Sequence, residues 1–165
     1  MSDGLLRVVR IVEGTSVDGP GLRTAIYFAG CDHRCPGCHN PSTWDYAAGE
    51  SITVDALVNA VVAADFNVTL TGGDPLQQAD LDALAEFVSR VVDAGYTVWC
   101  YTGYEYEGLV ADGRWSRLLG LMDVLVDGPF VQSRRDVSLR FRGSSNQRLV
   151  DLRRSGPDAV VLWDD

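Results

Sequence analysis

What most restricts the folding of this chain is an alternation of short apolar runs with amphipathic stretches. Apolar runs at 5–13, 24–29, 67–71, 97–101 and 123–126 read as strands. Between them, 51–64 places Val54, Leu57, Val58, Val61 and Val62 at helical spacing, with Ser51 or Thr53 as cap. Residues 80–94 do the same with Leu81, Leu84, Phe87, Val88, Val91 and Val92, and stop at Gly95; 114–121 predicts a shorter helix. Parallel strands need a crossover, usually a helix, so the alternation predicts an α/β protein with a mostly parallel sheet. A complete eight-stranded barrel takes about 250 residues, so 165 residues predict a partial (β/α) barrel or a curved sheet of five or six strands. The whole chain, 1–165, reads as one domain, with no repeat or long linker. Its last part, 130–165, is irregular apart from candidate strands near 147–152 and 159–163.

The segments rich in chemistry each follow a strand, at the edge where parallel α/β folds place their sites. After 24–29 comes GCDHRCPGCHN, residues 30–40, holding Cys31, Cys35 and Cys38 of the chain's four cysteines. Gly30, Pro36 and Gly37 suit a loop in which thiols converge. Three thiolates fall short of the four ligands of a structural zinc site. One alternative completes such a site with His33 or His39; a disulfide framework lacks its even, regular cysteine pattern. The preferred reading is an iron-sulfur cubane on three cysteines, its fourth iron left for a substrate or cofactor. Cys100, among large apolar neighbours, reads as core.

Charge narrows the partners. The net charge is −9, yet residues 134–165 carry 7 Arg against 5 acids, while 1–133 carry 7 Arg against 18. Nucleic acid is an unsuitable partner for so acidic a chain. The basic segment, with Arg134, Arg135 and Arg140, suggests a docking face, against the plain alternative of solvated arginines. The first residues, MSDGLLRVVRIVEG, lack the apolar centre of a signal peptide, and no run approaches the roughly 20 residues of a membrane span. A cytoplasmic protein is expected.

The cysteine spacing Cys-x3-Cys-x2-Cys and the later Gly72-Gly73-Asp74-Pro75 together resemble the radical S-adenosylmethionine enzymes. SVDGPGLRT, NPSTW, YTGY, DVLVDGPFV and RGSSNQR narrow the likeness, over about residues 10–150, to the glycyl-radical-enzyme activases that serve anaerobic ribonucleoside-triphosphate reductase. The resemblance implies a [4Fe-4S] cluster on Cys31, Cys35 and Cys38, and S-adenosylmethionine as second cofactor. It implies a glycyl radical formed on the reductase, and an electron donor such as flavodoxin. Gly72 and Gly73 would approach the methionine portion of the cofactor, Asp74 would meet its ammonium, and Asn40, Thr102, Gly103 and Asp127 would line the same pocket. Asp74 before Pro75 equally reads as a helix cap. Asp18, Gly19, Pro20 and Arg23 would lie near the target glycine, although this stretch also reads as a tight turn. Arg142, Ser144 and Asn146 would face the cofactor carboxylate or the partner. Gly37, where many relatives carry an aromatic residue, and His39, where this branch often has tyrosine, leave open how adenine is held. Asp74 is one methylene shorter than the glutamate of many relatives. Rival readings are an activase of another glycyl radical enzyme, another small radical enzyme, and a non-enzymatic zinc or iron-sulfur module.

Overall fold

In the computed structural model, residues 4–164 are described. The elements run β1 (Leu5–Thr15), β2 (Arg23–Phe28), β3 (Glu50–Thr53), α1 (Val54–Ala64), β4 (Asn67–Gly72), α2 (Leu81–Asp93), β5 (Val98–Tyr101), α3 (Tyr106–Asp112), α4 (Ser116–Leu121), β6 (Val124–Asp127) and β7 (Arg148–Asp151). One mixed sheet has the order β3-β1-β2-β4-β5-β6-β7. Its centre, β2 to β6, is parallel. The pairs β1–β2, β1–β3 and β6–β7 are antiparallel. This corrects the expectation of five or six mostly parallel strands: among the described residues there are seven, and half of the pairings are antiparallel. The reason lies in the connections, because β6 and β7 are joined by a segment without an α-helix, which returns along the same edge.

Each helix forms where its apolar spacing and cap agree. In α1, Val54, Leu57, Val58 and Val61 are buried, and the Thr53 hydroxyl accepts from the Ala56 N–H at 3.1 Å. It starts later than expected because Glu50–Thr53 is extended and pairs with the start of β1. In α2, Asp80 caps the Ala83 N–H at 2.9 Å, and Gly95 at φ 101° ends the run. The interval Tyr106–Asp112, to which the sequence pattern assigns no element, is helical as α3; its first N–H, of Tyr106, is taken by Asp127 at 2.9 Å. The expected strand near 159–163 amounts to isolated bridges, Val150 with Leu162 and Gly156 with Ala159.

The main core lies between the helices and one sheet face, where Ile26, Phe28, Leu70, Val98, Cys100 and Leu125 meet Leu57, Leu84, Phe87 and Leu109. Cys100 is wholly buried there, as expected. Alternation along β5 turns Trp99 and Tyr101 to the other face, against Val126, Phe141 and Trp163. Among the described residues no helix is long and apolar enough to cross a membrane.

Arg23 begins β2 and is only 1% exposed. Its guanidinium donates to the Thr69 hydroxyl at 2.9 Å and to the Val68 carbonyl at 2.8 Å, and lies over the Trp99 ring. Burial draws its pKa down to about 10. Replacing Arg23 by Met should strand these acceptors, at about 1–3 kcal/mol for each buried group left bare. Urea unfolding is the measurement, and an unchanged midpoint would show that this arginine staples nothing.

Candidate functional site

The cysteine loop is tied down by backbone before any metal is considered. Past Phe28, the Gly30 N–H donates to the Thr43 carbonyl at 2.7 Å and the Cys31 N–H to the Trp44 carbonyl at 3.1 Å, so the loop closes on itself. The end of β4 then clips onto it. The Gly73 N–H reaches the Phe28 carbonyl and the Asp74 N–H reaches the Gly30 carbonyl, each at 2.8 Å. A Cβ on Gly73 would stand 2.5 Å from the Gly30 oxygen and 2.9 Å from that of Thr43. Gly72, at φ 100°, would drive a Cβ to 2.5 Å from the Phe28 nitrogen. The paired glycines are therefore required for the close crossing of two chain segments.

Above this clip is a cleft of about 380 Å³. Cys31, Cys35, Cys38, Asn40, Gly72, Gly73, Asp74, Thr102, Gly103, Asp18 and Arg142 all line it, so most of the residues singled out in the sequence do come together. The three thiols are unpaired and partly exposed. Cys35 and Cys38 face one turn, closed by the Cys38 N–H on the Cys35 carbonyl at 3.1 Å, while the Asn40 N–H points at the Cys38 sulfur at 3.4 Å. Burial pushes the Cys31 thiol up to about 11, and the nearby Asp74 charge adds to the rise. Among the described residues, no three His, Cys, Asp or Glu side chains are grouped to hold a metal ion. Both histidines are engaged elsewhere, His33 with Asp74 and His39 against the Phe130 ring, 5.4 Å between centroids. Three soft thiol donors on the wall of one cleft fit an iron-sulfur cluster.

Asp74 is the polar centre, 1% exposed. Its Oδ1 accepts from the Leu76 N–H at 3.0 Å, which is the cap expected before Pro75. Its Oδ2 takes the Thr102 hydroxyl at 2.9 Å and the Gly103 N–H at 3.0 Å, and pairs with His33 Nε2 at 2.6 Å.

The far wall is the segment after β6: Phe130, Leu139, Phe141, Arg142, Gly143 and Gln147. The Tyr101 hydroxyl is hydrogen-bonded to the Phe141 carbonyl, and Phe141 itself has φ 63°, a conformation unusual for a non-glycine residue. Gln147 folds this wall, accepting from the Gly143 and Ser144 N–H groups at 2.9 and 3.1 Å and donating to the Gly128 carbonyl at 3.1 Å. Ser144 accepts from the Val131 N–H at 3.1 Å, and Asn146 donates to the Pro129 carbonyl at 2.8 Å; neither lines the cleft. Asp127, also outside the lining, pairs with Arg148 at 2.5 Å. Gly19 is absent from the lining, and Pro20 and Arg23 border a second cleft, at the other ends of the parallel strands. Asp18 Oδ2 and Arg142 Nε are shielded from solvent and have no hydrogen-bond partner. Burial raises the Asp18 pKa, against the pull of Arg23. Sequence reasoning missed Tyr101, Phe130, Phe141 and Gln147. Strand alternation from Trp99 would have found Tyr101, whereas the other three sit in an aperiodic stretch.

The model of a 4Fe-4S single cluster domain matches residues 17–150. The anaerobic ribonucleoside-triphosphate reductase-activating protein of Escherichia coli (strain K12) is 38% identical, over 83% of this chain and 93% of that protein. The chain belongs to this family of reductase-activating proteins. Other members that it resembles come from Pasteurella multocida (strain Pm70), at 38% identity over 79% of the chain and 88% of the relative, and from Enterobacteria phage T4, at 34% over 85% and 90%. The family match spans both the cysteine loop and the Gly72-Gly73-Asp74 clip, the two pieces that the backbone joins.

Two outcomes test the geometry. Gly73→Ala should cost about 1–3 kcal/mol, as overpacking does, and should lower iron retained per chain after anaerobic reconstitution; normal iron content would refute the close crossing. In metal-free protein, Cys31 should resist alkylation near neutral pH and gain reactivity as pH rises toward about 11, because only the thiolate reacts. Peptide mapping of the labelled cysteines measures this, and rapid labelling of Cys31 at neutral pH would contradict it.

Proposed function

We propose that this chain is a cytoplasmic radical S-adenosylmethionine oxidoreductase that installs a glycyl radical on an anaerobic ribonucleoside-triphosphate reductase. The observation that carries this reading is the meeting of Cys31, Cys35 and Cys38 with Asp74, Thr102 and Gly103 on one cleft at the strand ends. When bound and reduced, a [4Fe-4S] cluster held by Cys31, Cys35 and Cys38 would supply the electron for reductive cleavage of S-adenosylmethionine, and the carbon radical so released would take hydrogen from a glycine of the reductase.

The chain's own residues bind, orient and exclude water. Cys31, Cys35 and Cys38 hold the cluster as thiolates, so loading releases protons, most costly at Cys31. Gly72 and Gly73 bring backbone to the cofactor wall, and Asp74 offers the charge that meets the cofactor's ammonium. Thr102 and Gly103 hold that carboxylate in place. Asp18 Oδ2 and Arg142 Nε present one acceptor and one donor without partners in the protein, matched to a ligand or partner bearing both. Asn40 stands beside Cys38 on the cofactor side. Tyr101, Phe130 and Phe141 wall the cleft with apolar surface, which keeps water from a reactive radical.

The parallel strands β2, β4, β5 and β6 serve as the staves of a partial barrel. Gly19, Pro20, Arg23, Ser144 and Asn146 contribute to the partner side through the loops they shape, and Asp127 through the Arg148 pair beneath the wall. A small donor such as flavodoxin supplies the electron.

Anaerobically reconstituted, reduced protein should convert S-adenosylmethionine to 5′-deoxyadenosine and methionine, followed by chromatography. With the reductase present, electron paramagnetic resonance should show a glycyl doublet. Cys35→Ala should abolish both. Zinc without sulfide, or no deoxyadenosine from a cluster-loaded sample, would reject the reading; cleavage without a doublet would point to another glycyl radical enzyme.

A further inference from the structure

Asp74 Oδ1 accepts from the Leu76 N–H, while Oδ2, with about two lone-pair sites, is already crowded by three protein partners: the Thr102 hydroxyl, the Gly103 N–H and His33 Nε2. A ligand ammonium reaching Oδ2 therefore has to take over a site that the protein uses. Two of these partners cannot yield it cheaply. Thr102 and Gly103 follow directly on β5. His33 is different, because it belongs to the cysteine loop and its side chain, 18% exposed against 1% for Asp74, is the more solvent-facing partner of the pair.

The ring lines the cleft and is packed closely there. It meets the edge of Tyr104 at 4.7 Å between centroids, and Tyr104 is itself fixed by the Gln77 amide at 3.0 Å. On its other side Gly103 makes room: a Cβ there would fall 2.5–2.8 Å from three ring atoms.

We infer that His33 is a positioning residue that competes with the ammonium of an α-amino-acid-bearing nucleoside for Asp74 Oδ2. The imidazole satisfies the buried carboxylate until the ligand's amino group replaces it, so ligand affinity is set partly by the bond that His33 gives up. This deepens the proposed function and rests on it. It also assigns Gly103 a second duty, that of admitting the ring.

The test is isothermal titration of anaerobically reconstituted protein with two probes, S-adenosylhomocysteine, which carries the amino acid, and 5′-methylthioadenosine, which lacks it. His33→Ala removes the competitor. Gly103→Ala pushes the ring off Asp74 while leaving the cysteine loop's sequence intact, and decides the matter if His33→Ala fails to keep its iron. The expected result is a two- to tenfold gain in affinity for S-adenosylhomocysteine, about what one net hydrogen bond is worth, with 5′-methylthioadenosine unchanged. An unchanged or weakened affinity for S-adenosylhomocysteine, or an equal shift for both probes, overturns the competition while leaving the proposed function standing. Failure of the unsubstituted, cluster-loaded protein to bind either probe removes the proposed function and this inference together.

Discussion

Two backbone hydrogen bonds, from Gly73 N–H to Phe28 and from Asp74 N–H to Gly30, are what the rest of the site depends on. They extend the β2–β4 pairing beyond the sheet, so that a cysteine loop and a glycine turn, more than thirty residues apart in sequence, become one surface. Without them the thiols and the carboxylate would sit on independent loops. The clip also explains why two glycines precede an aspartate: no side chain fits between the crossing strands, and the first residue with one delivers a carboxylate straight into a nest of donors.

The two ends of the parallel strands have been given opposite tasks. At the C-terminal ends, thiols, a buried carboxylate and aromatic rings converge on one cleft. At the N-terminal ends, Arg23 is spent on cohesion, bonding the side chain and carbonyl of the neighbouring strand. A charged guanidinium sunk to 1% exposure needs its hydrogen bonds met, and β4 supplies them. The Arg23 position in a glycine- and proline-rich loop suggested contact with a partner; its surroundings show a structural duty that any such contact would share.

Legibility in the sequence followed regularity. Helices α1 and α2 were readable because apolar residues recur at helical spacing behind a good cap, and the central strands because they are short apolar runs closed by glycine. The cysteine loop and the Gly72 to Asp74 turn were readable as chemistry because their residue types are costly anywhere else. What escaped had no period. Helix α3 is short, carries a central glycine and is started by a distant carboxylate, Asp127, which no local pattern reveals. The far wall escaped for the same reason: Gln147, bonded to the Gly128 carbonyl, and the Tyr101 hydroxyl, bonded to that of Phe141, organise it through contacts with remote backbone. Asp127, expected at the cofactor, is instead committed to Arg148, a pairing between residues 21 apart in the chain.

That far wall has a consequence for how the protein comes into being. The thiols lie within the first quarter of the chain, whereas the residues that roof their cleft come after β6. During synthesis, at about 5–20 residues per second, the cysteines emerge seconds before their cover exists. For that interval they are open to oxidation and to stray metal ions, and only folding of the 128–147 segment completes the cleft that they line. The order of synthesis thus separates the thiols in time from the residues that complete their cleft.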